Sequence, residues 1–199
     1  MIAPPIRAPF LDPAADAILA AASAPRRALF LDRDGVINVN HGYVHTAALT
    51  DWVPGVFELV AEAHARGYLV IVVTNQAGIG RGYYDEAVFL EYTAWMHARF
   101  AERGSPLLAT YWCPHHPEFG VGDYRVDCAC RKPAPGMLLA AIERFAIDPA
   151  ASLLVGDSPT DLEAAQAAGV RARLLCEEDW GRDLATMLGV PVAVNIEEI

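Results

Sequence analysis

The sequence predicts an α/β fold: a doubly wound, mainly parallel sheet with helices on both faces. Three observations carry this expectation. Apolar runs of strand length recur at 28–31, 68–73, 108–112, 152–155 and 171–175. Segments with apolar residues at helical spacing separate them, and strands that alternate with helices build parallel sheets covered on both sides. Finally, three of the runs end abruptly in polar residues: Asp32 and Asp34, Thr74 and Asn75, and Asp157. In such sheets ligands gather beyond the carboxyl ends of the strands.

The elements follow in order. Residues 1–11 are Pro-rich and read as an irregular arm, and Asp12-Pro13 resembles a cap and first turn before a short Ala-rich helix over 13–23. The arm and helix (1–26) read as an appendage on a single domain spanning 27–199. After the strand at 28–31, residues 39–53 form a long loop, and long loops in small domains are often functional. Val56, Leu59, Val60 and Ala63 mark a helix ending near Gly67. The strand at 68–73 closes in Thr74-Asn75-Gln76, and Gly78, Gly80 and Gly82 suggest a pliable loop. Phe89, Tyr92, Met96 and Phe100 give the next helix its buried face; Leu138, Ala141, Ile142 and Phe145 do so for another, which Arg131-Lys132-Pro133 should open. Ser158-Pro159-Thr160-Asp161 reads as a capped helix start, with Pro at the first helical position and an acid three residues after the cap. A weak helix near 182–188 and a strand at 191–194 complete the pattern.

A chain of 199 residues with 54% hydrophobic and 20% charged residues describes an ordinary globular protein with one core. The net charge of −10 argues against general affinity for nucleic acid or anionic membrane, so an anionic substrate would need locally concentrated positive charge. No apolar run approaches the roughly 20 residues of a membrane span, and no secretory signal is legible. Three of the four cysteines cluster, which suits a metal site in a reducing, cytoplasmic compartment better than a disulfide framework; Cys176 stands apart and reads as a core residue.

Asp32 and Asp34 are two residues apart, share one face of the chain and repel, so they call for a cation or a shared proton. Alone, the stretch also reads as a strand ending in an Asp-Gly turn. Thr74 also reads as a helix cap, Lys132 as a solvated surface charge and Asp157 as the end of a turn. Their joint order, each just after a strand or before a helix, points instead to one pocket holding three carboxylates, a hydroxyl and an ammonium. Cys113, His115, Cys128 and Cys130 offer three thiolates and an imidazole, the ligand set of a closed tetrahedral Zn2+ site. Spacing alone leaves free thiols in a surface loop as the other reading, and His116 as a rival imidazole.

These residues resemble the haloacid dehalogenase-like phosphatases over residues 28 to about 176. Asp32-Arg33-Asp34-Gly35-Val36 is similar to their first motif, Val73-Thr74-Asn75 to the second, Lys132 to the third, and Gly156-Asp157 through Asp161 to the fourth. Within that superfamily, residues 38–43, 74–82, 113–117 and 128–133 resemble the heptose bisphosphate phosphatases, whose close relatives are the histidinol phosphate phosphatases. The resemblance implies a Rossmann-like, capless domain with a zinc-binding loop at 113–132, monomeric, acting on a small phosphorylated sugar. It implies Asp32 as nucleophile and Asp34 as general acid and base. Mg2+ would be held by the Asp32 carboxylate, the Asp34 backbone carbonyl and Asp157. Thr74, Asn75 and Lys132 would bind phosphate, and Asp161 would orient Lys132 or the metal waters, unless it only caps its helix. Asn40, His41, Gly42 and Tyr43 follow the heptose-type loop, and Arg131 becomes a contact to the second phosphate or to sugar hydroxyls, unless it merely packs around the zinc loop. The resemblance favours His115 over His116 in a structural zinc site. Where this family often carries lysine, the chain has Ser158, a departure beside Asp157. The long stretch from His116 to Asp127 favours removal of the C7 phosphate from D-glycero-D-manno-heptose 1,7-bisphosphate over histidinol phosphate hydrolysis. A zinc-stapled binding module without catalysis is the non-enzyme alternative, which the retention of Asp32, Asp34, Lys132 and Asp157 argues against.

Overall fold

Residues 28–31 send side chains alternately to two faces, and the core divides accordingly. The computed structural model, which describes residues 6–176 and Leu188, builds β1 (Phe10–Leu11), α1 (Ala15–Ala21), β2 (Arg27–Leu31), α2 (Val56–Ala65), β3 (Tyr68–Asn75), α3 (Ala77–Gly80), α4 (Glu86–Ala101), β4 (Ala109–Cys113), α5 (Gly136–Phe145), β5 (Leu153–Gly156), α6 (Pro159–Ala167) and β6 (Arg171–Leu174) in that order. Among the described residues six strands form one sheet in the order β1-β4-β3-β2-β5-β6. All pairings are parallel except β1 against β4. Ala28 and Phe30 pack with Leu69, Ile71 and Val73 against Leu138, Ala141 and Phe145 of α5 and Ala164 and Ala165 of α6. Leu29 and Leu31 pack with Val70 and Val72 against Leu59, Val60 and Ala63 of α2 and Met96 and Phe100 of α4. Burying each such Leu or Phe stabilises the fold by about 1.5–3 kcal/mol relative to exposure.

Strand β2 lies at the centre, and the chain winds from it to β3 and β4 on one side and to β5 and β6 on the other. The crevice at the carboxyl end of β2, between β3 and β5, is therefore the place where a ligand fits without a crossing connection in the way.

The structure departs from the sequence reading in several places. Part of the arm is regular: Phe10 and Leu11 pair with Thr110 and Ala109 and cover the edge of β4. Gly78 is not in a pliable loop but buried in α3, where an added Cβ would stand 2.4 Å from the Tyr84 ring; close approach is what glycine supplies there. The helix after Lys132 begins only at Gly136. Cys176 is exposed rather than part of the core. The expected helix near 182–188 and strand at 191–194 lie outside the described residues, Leu188 excepted. Among the described residues no helix is long and apolar enough to cross a membrane.

Candidate active site

Because β2, β3 and β5 run parallel and in register, their carboxyl ends bring Asp32, Thr74 and Asp157 to one edge. The turn after β2 comes close enough to Asp157 that only glycine fits: Gly35 has φ +88, and a Cβ there would lie 2.0 Å from Asp157 Oδ2. Asp32, Thr74 and Asp157 line a pocket of about 380 Å3, together with Asp34, Asn40, Tyr43, Asn75, Gln76, Arg131, Lys132 and Ser158. A larger hollow, about 630 Å3, opens at the opposite edge beside Arg27 and Tyr68, with no carboxylate among the described residues that line it. Size alone does not mark the site; the convergence of charge does.

Lys132 is buried, and its ammonium lies 3.0 Å from Asp32 Oδ1 and 2.5 Å from Asp161 Oδ1, while donating to the Val73 carbonyl at 2.9 Å. It is not a solvated surface charge. Asn75 holds it there: the amide donates to the Lys132 carbonyl and accepts from the Lys132 N–H, both at 3.0 Å. Both polar atoms of the Asn75 side chain thus serve the Lys132 backbone. Asp161 likewise carries two duties. Its second oxygen accepts from the Ser158 N–H at 3.1 Å, completing a capping box on α6, while its first meets Lys132. Ser158 lines the pocket, and its hydroxyl accepts from the Thr160 N–H at 3.2 Å.

Burial pushes the Asp32 carboxyl up to about 7 against the pull of Lys132, with Asp161, Asp34 and Asp157 adding repulsion. Asp157 is raised for the same first reason, then by Asp161. Oxygen atoms of Asp32, Asp157 and Asp161 lie within 4.8 Å of one another. A hard divalent cation fits such a set, because its charge offsets both the lost hydration and the mutual repulsion.

Asp34 is gripped more completely than the sequence suggested. Arg33 Nη2 reaches its oxygens at 2.9 and 2.8 Å, Asn38 Nδ2 donates to Oδ1 at 3.0 Å, and Gln76 Nε2 donates to Oδ2 at 3.1 Å. Gln76 also donates to Thr74 Oγ1 at 2.8 Å and accepts from the Tyr84 hydroxyl at 2.6 Å. Arg33, Asn38, Gln76 and Tyr84 escaped the sequence reading as site residues. One signal was available for Arg33: a cation set between two carboxylates has an ion-pair partner within reach, and here it is Asp34.

Of the loop residues, Asn40, Gly42 and Tyr43 line the pocket, but His41 does not. Its Nε2 lies 2.8 Å from Asp51 Oδ2 on the surface. Arg131 lines the pocket and donates to the His115 carbonyl at 3.2 Å, so it both faces the site and braces the adjacent loop.

Cys113, His115, Cys128 and Cys130 are buried, with their ligand atoms within 4.8 Å of one another. The sulfurs are 3.1–3.5 Å apart, and His115 Nδ1 lies 3.3 and 3.7 Å from two of them. Those distances are too long for disulfides. A tetrahedral Zn2+ with Zn–S near 2.3 Å sets sulfur–sulfur edges of about 3.8 Å, so the cage fits after widening by a few tenths of an ångström. His116 is turned elsewhere, with Nδ1 accepting from the Glu118 and Phe119 N–H groups at 3.2 Å.

The chain is similar to several known proteins. A family model described as HAD-hydrolase-like matches residues 129–178. A D-glycero-alpha-D-manno-heptose-1,7-bisphosphate 7-phosphatase of Burkholderia mallei is 54% identical over 157 residues, covering 78% of this chain and 83% of the relative. The D-glycero-beta-D-manno-heptose-1,7-bisphosphate 7-phosphatase of Vibrio cholerae is 47% identical over 166 residues, covering 81% and 89%. The crystal structure of D,D-heptose 1,7-bisphosphate phosphatase from B. bronchiseptica, complexed with magnesium and phosphate, superposes with a TM-score of 0.67 at 34% identity, covering 83% of this chain and 88% of that one. The chain belongs to the D-glycero-D-manno-heptose-1,7-bisphosphate 7-phosphatase family of HAD-like hydrolases.

Proposed function

We propose that the protein is a Mg2+-dependent phosphatase that removes the C7 phosphate of D-glycero-D-manno-heptose 1,7-bisphosphate. The observation that carries this reading is the meeting of Asp32, Asp34, Thr74, Lys132 and Asp157 around one pocket, with Lys132 Nζ 3.0 Å from Asp32 Oδ1. Asp32 attacks phosphorus, the ester P–O bond breaks, and the proton on Asp34 passes to the departing sugar oxygen. Asp34, now ionised, takes a proton from water. The resulting hydroxide attacks phosphorus, and the acyl-phosphate P–O bond breaks to release inorganic phosphate and regenerate Asp32. Thr74 and Lys132 hold phosphoryl oxygens as charge shifts toward the leaving group. Asn75 acts by fixing Lys132, and Asp161 by orienting it.

Asp32, the Asp34 backbone carbonyl and Asp157 would hold Mg2+, which neutralises phosphate charge so that a carboxylate can approach an anion. Cys113, His115, Cys128 and Cys130 would hold Zn2+ in a closed, structural site that pins the segment bearing Arg131 and Lys132. Asn40, Gly42, Tyr43 and Arg131 face the leaving group, and the planar fork of Arg131 suits the second phosphate. The clustered thiols support a cytoplasmic protein, the net charge of −10 supports one that engages neither nucleic acid nor membrane, and the family resemblance supports a monomer.

The test is phosphate release with Mg2+ from the α and β heptose bisphosphates beside histidinol phosphate. The heptose esters should turn over fastest, and Asp32→Asn should abolish release from all three. Inertness toward these three with Asp32-dependent release from another small phosphomonoester would point to a different phosphatase substrate, and equal inertness of wild type and Asp32→Asn across a wider panel of phosphoesters would leave only the binding-module reading.

A further inference from the structure

We propose that Arg33 is a positioning residue: from inside the core it grips both the Asp34 carboxylate and the Val44 carbonyl. It thereby fixes the proton donor relative to the loop that receives the leaving group. The inference rests on the phosphatase reading of the site, in which Asp34 protonates the departing oxygen.

Arg33 is fully buried, so it cannot touch a substrate. Its Nη2 donates to both Asp34 oxygens, its Nε to Oδ1 at 3.3 Å, and Nη2 also reaches the Val44 carbonyl at 2.6 Å. The guanidinium faces the Tyr92 and Phe89 rings at 5.2 and 5.9 Å, and Nη1 is buried with no hydrogen-bond partner among the described residues. Stability is a poor reason to keep such a group. Burying a guanidinium is costly, and well-packed apolar side chains commonly serve a core as well as a buried ion pair does.

The arrangement makes sense as a division of cations. Lys132 bonds Asp32 and Asp161, while Arg33 bonds Asp34, so the two carboxylates of the first motif do not compete for one charge. The Val44 carbonyl adds the second half of the argument. Val44 follows Tyr43, which lines the pocket with φ +54, a backbone conformation unusual for a bulky residue. Any displacement of this loop carries the Val44 carbonyl with it, and through Arg33 the Asp34 carboxylate. Lysine offers a single point charge and cannot span a carboxylate and a carbonyl in this way.

A change in leaving group separates positioning from scaffolding. A sugar alkoxide must be protonated as it departs, whereas nitrophenolate leaves without a proton. The first chemical step is therefore followed by rapid quench, as release of heptose monophosphate from the bisphosphate and of nitrophenolate from p-nitrophenyl phosphate. In Arg33→Met the sugar ester should slow by about 100-fold, the scale of a lost general acid, while the aryl ester slows by less than about fivefold and KM for each stays within about threefold. Arg33→Lys should show the same split to a smaller degree, and it carries the comparison if Arg33→Met does not fold. Equal losses on both esters, or no loss on either, with the wild type active, overturn this proposal alone. A wild type inert toward both overturns the phosphatase reading and this proposal with it.

Discussion

Asp12 Oδ2 lies 3.0 Å from His97 Nδ1, with both side chains buried, and this contact ties the N-terminal arm to helix α4. The other ring nitrogen of His97 is 2.9 Å from Thr110 Oγ1 on β4, and the Phe10 ring meets the imidazole edge-on at 4.8 Å. The second Asp12 oxygen accepts from the Ala14 N–H at 2.9 Å. The aspartate that reads in the sequence as a simple helix cap is therefore a rivet through three elements.

Its removal should be felt in a pH-dependent way. Burial opposes ionisation of Asp12, but the His97 hydrogen bond, the Ala14 N–H and the His97 charge outweigh it, and the carboxyl is held below its ordinary value. A lowered folded-state value means the stabilisation is present above the unfolded-state value, near pH 4, and is lost as pH falls through the lower one. Asp12→Asn should cost about 2 kcal/mol at pH 7, with the gap to wild type closing below about pH 4. Urea unfolding at several pH values measures it; a gap that does not change with pH would show that the charge is not what holds the arm.

Lys132 leads to a second expectation. Lys132→Met removes the cation shared by Asp32 and Asp161 while retaining most of the buried volume. Turnover should fall by about 10²- to 10³-fold, the effect of losing one donor aimed at developing charge. Because the hydrogen bonds between Asn75 and Lys132 run through the Lys132 backbone, the loop should keep its path, and circular dichroism and zinc content should be unchanged.

Much of this site was legible in the sequence because its chemistry sits at the ends of apolar runs. Asp32 and Asp157 follow apolar strand runs and Thr74 closes another, and because strands that alternate with helices run parallel, their meeting at one edge follows from sheet geometry. Cys113, His115, Cys128 and Cys130 were legible for a different reason, since four soft donors within a short span have few other uses. The rest depended on side-chain reach. Asn75 carries a phosphate-binding pattern, yet both of its polar side-chain atoms face the Lys132 backbone. His41 sits within a substrate-type loop but turns to Asp51, and no spacing rule gives the rotation of one loop side chain. Gln76 and Tyr84 were invisible because their bond depends on Gly78 admitting the Tyr84 ring, a tertiary contact.

Gly35 tests the closeness of the two acidic turns. Alanine there meets two obstacles: φ of +88, costing on the order of 1–3 kcal/mol, and a Cβ 2.0 Å from Asp157 Oδ2. The Asp157 carboxylate must swing away, and with it one of the groups assigned to Mg2+. Gly35→Ala should therefore need at least about tenfold more Mg2+ for half-maximal activity, in line with the loss of one oriented ligand. A Mg2+ titration of activity, read beside the melting temperature, distinguishes this from general destabilisation: a lowered melting point with an unchanged Mg2+ midpoint would contradict it.

The zinc cluster supports the last expectation. The three sulfurs lie within 3.5 Å, and the cluster divides its ionisation unequally: hydrogen bonding to Cys128 and Cys130, and then burial, push the Cys113 thiol up, whereas hydrogen bonds from Cys113 and Cys130 hold the Cys128 thiol down. A bound divalent cation reverses that balance by taking all three as thiolates. Purified protein should carry about one zinc per chain by elemental analysis, in keeping with four ligands closing one tetrahedron. Cys128→Ser should lose most of it and lower the melting temperature by about 5 °C or more, since structural zinc is worth several kcal/mol of folding free energy. The damage should be local first. Arg131 and Lys132 directly follow Cys130, so hydrogen exchange should rise across residues 113–132, and phosphatase activity should fall with it even though no zinc ligand faces the pocket. Zinc-free protein with unchanged exchange in this segment would mean that hydrogen bonds, such as that from Arg131 to the His115 carbonyl, hold the loop without the metal.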